Sequence, residues 1–298
     1  MTDECGGLKQ QLPYPYSLDL SGVLRRLDRR TPGGRERLAN DPVTAAYLAA
    51  GMRLIEKNLG PGVERPPAGS AGENAAVPAV LSFLSQRVVA AEVGSNPPPF
   101  HRMGSTGTLR ATWRSQSDYI ADLIAFGLWS YQFPIAKHSD QVEAATQRLI
   151  GGGDFVEEFH RLCYWVLVTL LATPTFRLGL LAAAVAADDD VVARAVADHY
   201  RENRDRWNGL YTAILAAYRV RLRPGVAPDD VGRMLTALAD GFALRGLADP
   251  HAPLLDHERQ RSLLGAAALA LICSFGQQAD ESPGAGIEEV TRAMFRRS

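Results

Sequence analysis

The chain has 298 residues, of which 46% are hydrophobic, and its formal net charge is −1 at pH 7. That length suffices for one large domain or two modest ones, and the composition is typical of globular proteins. No apolar run reaches the roughly 20 residues that span a bilayer, and the N-terminus shows no signal-peptide pattern, so we expect a cytoplasmic protein without a membrane partner.

The first thirty residues divide into a polar arm and a helical pattern. Residues 1–17 are interrupted by prolines, which predicts a disordered or loosely attached arm. Apolar side chains recur at helical spacing over residues 18–30, which predicts a helix. Arginines cluster near its end, at positions 25, 26, 29 and 30. They fit either a solvated helix C-terminus, where cations are favourable, or a basic arm on a nucleic-acid backbone.

The next segment alternates predicted helices with loops. Asp41 followed by Pro42 predicts the start of a helix that runs to about Leu59. Residues 60–76 are rich in Gly, Pro, Ala and Ser, which predicts a long flexible loop. A helical pattern returns over residues 78–93. The three prolines at Pro97–Pro99 then exclude a continuous helix and predict a stiff excursion.

Residues 104–120 are the most informative segment and read Gly-Ser-Thr-Gly-Thr-Leu-Arg-Ala-Thr-Trp-Arg-Ser-Gln-Ser-Asp-Tyr-Ile. Ser105 can cap a very short helix, and Trp113 is a bulky apolar anchor at its end. Ser115 and Asp118 predict a capping box for the following helix. A short helix held by an aromatic side chain, with Thr and Arg facing outward, suits a groove of nucleic acid.

This segment resembles the recognition-helix region of the TetR family of bacterial repressors, written Val-Ser-x-Gly-Thr-Leu-Tyr-x-His-Phe/Trp-x-Ser-Lys. Residues 47–55 are similar to the first helix of that family, and Val88–Gly94 to its second helix. The amphipathic helix predicted over residues 116–132 corresponds to the fourth helix, which joins the DNA-reading head to the body. Pro134 closes it. The resemblance implies DNA contacts by Ser105, Thr106, Gly107, Thr108, Arg110, Thr112, Arg114 and Gln116.

Three positions depart from the family pattern. Arg110 stands where the family has Tyr, Thr112 where it has His, and Gln116 where it has Lys. Those family residues mostly contact DNA phosphates, so the departures imply weaker phosphate binding. The guanidinium of Arg110 partly compensates, because it can grip phosphate or the acceptor edge of guanine. The Pro97–Pro99 insertion either re-aims the recognition helix, adds contacts through His101 and Arg102, or marks the loss of DNA binding.

The body is predicted to be nearly all helical. Helices are expected over residues 142–150, 154–171, 176–187 and 191–222, and then over 227–245 and 256–278. The Asp188–Asp190 run is interpreted as acidic capping of the helix that follows it, rather than as a metal site. In the family, the last two helices pair with their copies in a dimer. The expected dimer residues are Met234, Leu238, Leu264, Ala268, Leu271 and Phe275.

The sequence offers no catalytic or cofactor pattern. It has no phosphate loop, no Gly-x-Ser-x-Gly and no His-Glu-x-x-His, and the three cysteines, Cys5, Cys163 and Cys273, have no metal spacing. We therefore expect a protein that is not an enzyme and holds neither cofactor nor metal. Aromatic residues of the body are candidates for a ligand pocket, although each could serve only in core packing. They are Phe155, Phe159, Trp165, Phe176, Trp207, Tyr211 and Phe242.

The prediction is an all-α protein with a three-helix, helix-turn-helix-like head and a C-terminal helical domain for ligand sensing and dimerisation. Its parts are an arm at 1–40, a DNA-binding domain at 41–134 and a sensing domain at 135–298. Residues 1–137 carry a net charge of +3 and the rest −4, which fits a DNA-reading head on a sensor body. The resemblance implies a homodimeric regulator, in the family a repressor, whose operator affinity is set by a small-molecule effector. The alternative is a ligand-binding or interaction module that has lost operator binding.

Overall fold

The computed structural model describes residues 12–29, 31–60, 81–131, 139–278 and 284–289. The described chain is all-α apart from short strands, as predicted. It divides into two compact units. The N-terminal unit comprises Met1–Phe133 and Pro174–His199, and the C-terminal unit comprises Pro134–Thr173 and Tyr200–Ser298. Pro174–His199 thus groups with the head, although it was assigned to the sensing domain from the sequence.

Two early helices of the N-terminal unit begin at side-chain caps followed by proline. They are α1 (Pro32–Ala39) and α2 (Pro42–Leu59). Thr31 accepts the Gly34 N–H, and Asp41 accepts the Val43 N–H at 2.8 Å. Proline lacks a backbone N–H, but at the first helical position that N–H would have no partner within the helix. The capping residue and the proline therefore determine where these two helices start. The other helices of this unit are α3 (Gln86–Glu92), α4 (Thr106–Thr112), α5 (Gln116–Ser130) and α8 (Pro174–Val185).

The core of the N-terminal unit forms around α2 and α5. Tyr47, Leu48 and Ile55 of α2 are fully buried, as are Tyr119 and Leu123 of α5. The two helices approach closely at Gly51: a Cβ added there would clash with the Tyr119 hydroxyl oxygen and lie 2.7 Å from Leu123 Cδ2. Both helices also pack against α8.

The helix predicted over residues 18–30 is not formed in the described part of that segment. Residues 21–23 form a turn and residues 24–26 have no regular secondary structure, with Leu24 and Leu27 buried in the core. The N–H groups of Arg25 and Arg26 bond to the side chain of Asp122. This tertiary pairing satisfies donors that a helix would otherwise use, so it overrides the local helical pattern.

The predicted loose arm is also packed where it is described. The ring of Tyr16 lies 4.9 Å from that of Phe100 and 5.0 Å from that of Phe126. Contacts of this kind bury large aromatic surfaces, which holds the segment against the unit. Residues 1–11, and the predicted loop from residue 61 onward, lie outside the described residues.

The C-terminal unit is built mainly from four helices. They are α6 (Ser139–Ile150), α7 (Phe155–Ala172), α10 (Pro228–Ala248) and α11 (Leu263–Phe275). The long helix α9 (Asp190–Ala217) begins in the N-terminal unit and enters this one at Tyr200. Buried side chains of α7 and α11, among them Leu162, Leu167, Leu264 and Ala268, form the core.

Two small antiparallel ladders replace ends of predicted helices. β1 (Val220–Leu222) pairs with β4 (Gly276–Gln278), with Arg221 opposite Gln277. β2 (Leu255–Asp256) pairs with β3 (Arg261–Ser262). The helices predicted over 191–222 and 256–278 are therefore shorter than expected. The pairing of β1 with β4 joins segments far apart in sequence and leaves no local periodicity, so the sequence pattern could not predict these two helix ends.

Among the described helices, no single one is long and apolar enough to cross a membrane. The bent pair Phe155–Ala172 and Pro174–Val185 meets the length and composition test together. Leu167 of the first helix and Leu178 of the second are fully buried in the protein.

Candidate nucleic-acid interface and ligand cavity

The short helix α4 is fixed at its N-terminus by a capping residue and by a tyrosine. Ser105 has extended backbone angles, and its side chain accepts the N–H of Thr108 at 3.0 Å. The hydroxyl of Tyr47 donates to the Ser105 carbonyl at 2.8 Å and accepts the Ser105 N–H at 2.9 Å. A seven-residue helix is too short to be stable alone, so these anchors determine where it lies.

The C-terminus of α4 is held by Trp113, as the sequence predicted. The side chain is fully buried, and its ring packs edge-on against Tyr119 at 5.0 Å. The indole N–H donates to Asp122 at 2.9 Å. Burial raises the pKa of Asp122 to about 6, against the lowering effect of its N–H donors. The predicted capping box of Ser115 and Asp118 is present at the start of α5.

The outward surface of α4 consists of small polar groups and arginine. Thr106, Gly107, Thr108 and Arg110 are exposed, as is Ser105 in front of them. Thr112 differs from the prediction: it is 3% exposed and its hydroxyl donates to the Thr108 carbonyl at 3.1 Å. Its position at the last turn faces the unit's interior, so its side chain is not available to DNA.

The other predicted contact residues lie beside α4. The guanidinium of Arg110 donates to the side-chain oxygen of Gln86 at 2.9 Å, which ties α4 to the start of α3. Arg114 is exposed. Gln116 is half-buried, and its amide nitrogen lies 3.5 Å from the Leu84 carbonyl, so it is turned toward the preceding segment. Cationic side chains on this surface are therefore Arg110 and Arg114.

The insertion before α4 is an ordered loop rather than an open excursion. Asn96 is fully buried and its amide donates to the carbonyls of Ala46 and His101, at 3.1 and 2.7 Å. Phe100 packs against Ala45 and Ala49 of α2. The loop leaves His101, Arg102 and Met103 exposed immediately before the recognition-like helix.

The C-terminal unit contains an apolar cavity of about 30 Å³. A water molecule needs roughly 10–15 Å³ of such volume, so a larger ligand would have to widen the cavity. The hydroxyl of Tyr218 is already engaged, since it donates to the carbonyls of Leu149 and Gly153. The lining comes from α7, α9, β1, α10 and α11 and consists of Phe155, Phe159, Tyr211, Ile214, Leu215, Tyr218, Val220, Leu222, Val231, Leu235, Ile272 and Phe275.

The predicted pocket residues are only partly brought together there. Phe159 and Tyr211 line the cavity, together with Phe155. Phe176 belongs to the N-terminal unit, on α8. Three more predicted aromatic residues are absent from the lining of this cavity: Trp165, Trp207 and Phe242. The aliphatic wall was missed because it is contributed by elements far apart in sequence, and core residues carry no distinguishing pattern.

The predicted dimer residues also separate into two groups. Leu264, Ala268 and Phe275 are buried within the chain, so they cannot form an outer surface of α11, and Phe275 lines the cavity instead. α11 lies against α7 closely enough that a Cβ at Gly265 would come within 2.6 Å of His160 Nδ1. The other three remain partly accessible: Met234, Leu238 and Leu271.

Both helices leave an apolar stripe exposed, which we call the seam stripe. On α10 the residues recur every three or four positions, and on α11 the exposed residues are mostly small. The seam stripe consists of Met234, Ala237, Gly241, Leu244, Ala248, Leu263, Ala266 and Ala270.

The described chain has no cluster of three His, Cys, Asp or Glu side chains that could hold a metal ion. Asp189 caps α9 by accepting the N–H groups of Val191 and Val192, as the sequence predicted for the acidic run. Cys163 is buried, and burial raises the pKa of its thiol to about 12. The thiol is therefore protonated at neutral pH and is part of the core.

Comparisons with known proteins give a match to part of the C-terminal half of the chain. Residues 160–272 match the TetR-type family model described as the C-terminal domain of BetI-type transcriptional repressors. No curated protein matches the chain. The solved structure of SmeT, the repressor of the Stenotrophomonas maltophilia multidrug efflux pump SmeDEF, superposes with a TM-score of 0.40 at 14% identity, covering 80% of this chain and 93% of that one.

The family match covers the region of α10 and α11 and most of the cavity-lining residues. The capped helix α4, preceded by α2 and α3 and followed by α5, has the order of elements that the sequence motif predicted. The family match is thus to the C-terminal domain of BetI-type repressors and is limited to residues 160–272.

Proposed function

We propose that this protein is a homodimeric repressor that binds an operator through α4 and releases it when a small apolar molecule occupies the C-terminal cavity. The observation that carries the proposal is the presentation of α4. Its buried face is fixed by Tyr47, Leu109 and Trp113, while its remaining polar surface is left exposed.

The exposed surface of α4 suits a DNA groove. Gly107 lets the backbone approach a duplex closely, and the side chains around it are small enough not to prevent this. Arg110 offers a planar set of N–H donors, of which one is used by Gln86. The remaining donors can bind phosphate or the O6 and N7 acceptors of guanine.

The cavity supports an apolar effector. Its lining is aromatic and aliphatic, and burial raises the pKa of Tyr211, which keeps that phenol neutral. A ligand larger than the present cavity must displace side chains of α7, α9 or α10. A ligand acts on DNA affinity only if it binds the DNA-competent and incompetent states with different affinities, and such displacement provides a difference between them.

The test is a mobility-shift titration on DNA upstream of the protein's own gene. Arg110→Ala is expected to weaken binding by about 1–3 kcal/mol, which corresponds to roughly 5- to 150-fold. Arg194→Ala removes an exposed arginine of α9, outside the helix-turn-helix, and should leave the affinity unchanged.

Two results would count against the proposal. An Arg110→Ala protein that keeps wild-type affinity and salt dependence would remove α4 from the interface. A wild-type protein that binds no duplex DNA would favour the alternative function, a ligand-binding or interaction module on the same scaffold.

A further inference from the structure

The segment Leu24–Arg29, which we call the N-terminal strap, runs along the end of α4. Leu27 and Trp113 form an isolated antiparallel bridge. The Asp28 N–H donates to the Thr112 carbonyl at 2.9 Å, and the Arg29 guanidinium donates to the Ala111 carbonyl at 3.2 Å. These carbonyls are among the last of α4 and have no acceptor role within the helix, so the strap satisfies them.

The strap is fixed to the core on its inner side. Leu24 and Leu27 are 2% and 5% exposed. The N–H groups of Arg25 and Arg26 donate to Asp122 at 2.7 and 3.0 Å, and the same carboxylate holds Trp113. The strap and the recognition-like helix therefore share one anchor and are positioned as a unit.

The outer side of the strap is cationic. Arg25 and Arg29 are exposed, and so is Arg35 on α1, whose guanidinium donates to the Arg29 carbonyl at 3.0 Å. Arg26 is different, since its guanidinium pairs with Asp189 and Asp190. The contact of Arg29 with Ala111 places its charge one residue from Arg110.

We infer that Arg25, Arg29 and Arg35 form a second DNA contact, which binds phosphates of the duplex next to the groove that α4 enters. This inference rests on the proposed DNA-binding function and widens its footprint. Exposed arginines beside a base-reading helix neutralise phosphates without reading sequence, because phosphate oxygens are the same at every step. The strap thereby supplies the phosphate contacts that are weakened by Gln116 at the family's lysine position.

The experiment measures the affinity for duplex DNA as a function of salt, by fluorescence anisotropy. Two labelled duplexes of equal length are used, one from upstream of the protein's own gene and one unrelated. The strap variant is the triple substitution Arg25→Ala, Arg29→Ala and Arg35→Ala. Its slope of log affinity against log salt should be shallower by about 2–3, since each lost phosphate contact removes about 0.9. The loss should be equal on both duplexes.

Two matched variants separate charge from folding and from net charge. The triple Arg→Lys substitution at the same positions keeps the charge and should restore the slope. The triple Arg194→Ala, Arg233→Ala and Arg259→Ala removes three exposed arginines elsewhere and should leave it unchanged. The strap inference is wrong if the strap variant keeps the wild-type slope, or if the Arg→Lys triple loses it.

The outcomes also distinguish this inference from the function on which it rests. A wild-type protein without a steep salt dependence on either duplex overturns both. A steep wild-type slope that depends on Arg110 but not on the strap overturns the strap inference alone.

Discussion

Asp122 is the residue that joins the two parts of the candidate DNA interface. Its buried carboxylate accepts three N–H groups, from Arg25, Arg26 and Trp113. Burying a carboxylate without such donors would cost several kcal/mol. The donors from the strap and from Trp113 at the end of α4 offset this cost, so Asp122 can be buried in α5. The sequence did not single it out, because two of its three donors, the N–H groups of Arg25 and Arg26, lie almost 100 residues away in the strap.

The titration of Asp122 gives a stability prediction. Burial raises its pKa from 3.8 to about 6, so the folded protein binds more protons than the unfolded chain between these values. Its stabilising contribution is therefore complete below about pH 4 and is lost as the pH rises through 6. The unfolding free energy of the wild type minus that of Asp122→Asn should fall over this interval, by at most about 3 kcal/mol.

Urea unfolding at several pH values measures this difference. Subtracting the Asp122→Asn profile removes the titration of other groups, including Asp240, whose pKa burial also raises to about 6. A difference that stays constant from pH 4 to 7, or that grows with pH, would show that the ionised carboxylate is not penalised in the fold.

Single residues were predictable where their role is local. The caps at Ser105 and Ser115 and the aromatic anchor at Trp113 follow from short-range patterns, and the structure contains them. Thr112 shows the limit. The residues just before it in the sequence, Arg110 and Ala111, are exposed. Whether the last turn of a seven-residue helix faces solvent, however, depends on what packs against it. Here the strap packs against it, through the hydrogen bond from the Asp28 N–H to the Thr112 carbonyl, and the sequence pattern predicts a helix for that segment instead.

At the scale of elements, the contact between α2 and α5 depends on a glycine. A methyl group at Gly51 would clash with the Tyr119 hydroxyl, whose hydrogen bond to the Tyr47 carbonyl is 3.0 Å long. It would also lie within 2.8 Å of both terminal carbons of Leu123. Small-to-large changes in a filled core force neighbouring helices apart.

We therefore expect Gly51→Ala to lower the free energy of unfolding by about 1–3 kcal/mol. The control is Gly209→Ala in α9, where a Cβ would meet no atom within 4 Å. That substitution should raise stability by about 0.5–1 kcal/mol, because alanine is the better helix former. Equal effects of the two substitutions in chemical denaturation would mean that Gly51 is not a close-contact site.

Which elements form was largely predictable, and how they end was less so. Helices that start at Asp41-Pro42, Ser105, Ser115 and Asp154 carry their start signals within four residues. The strap, β1 and β4 do not, since each is defined by a partner distant in sequence, as β1 is by β4. The cavity was hard to predict for the same reason, because its wall is assembled from five elements that are far apart in sequence. Only some of its aromatic residues were predicted to line a pocket.

At the scale of the whole molecule, the seam stripe is the surface on which the proposed homodimer can be tested. Leu244 and Leu263 are about half exposed, and between and beside them lie alanine and glycine. Small residues let helices approach closely, and exposed apolar surface is typical of an interface between subunits. The pairing of α10 and α11 with their copies stays a prediction, and three of the side chains predicted for it on α11, Leu264, Ala268 and Phe275, are buried within the chain.

The two substitutions Ala237→Arg and Leu244→Arg place like charges on the seam stripe. In a two-fold dimer the same surface meets its own copy, so each new charge is brought near its equivalent in the partner. The dissociation constant of the dimer should rise by at least about tenfold. The affinity for an operator whose two half-sites lie one helical turn apart should fall as well, because such an operator is bound by a dimer. Sedimentation velocity against the chain mass of 32.3 kDa measures the first effect.

Val185→Arg provides the control, because Val185 is 45% exposed on α8 and lies outside the seam stripe. It adds one of the same charges while leaving α10 and α11 unchanged, so the protein should remain a dimer. A double variant that also stays dimeric would place the interface on another surface. A wild-type protein that sediments with a mass of 32.3 kDa would be a monomer, so α10 and α11 would not pack against a second copy. Binding of a symmetric dimer to an operator with two half-sites would then have no structural basis.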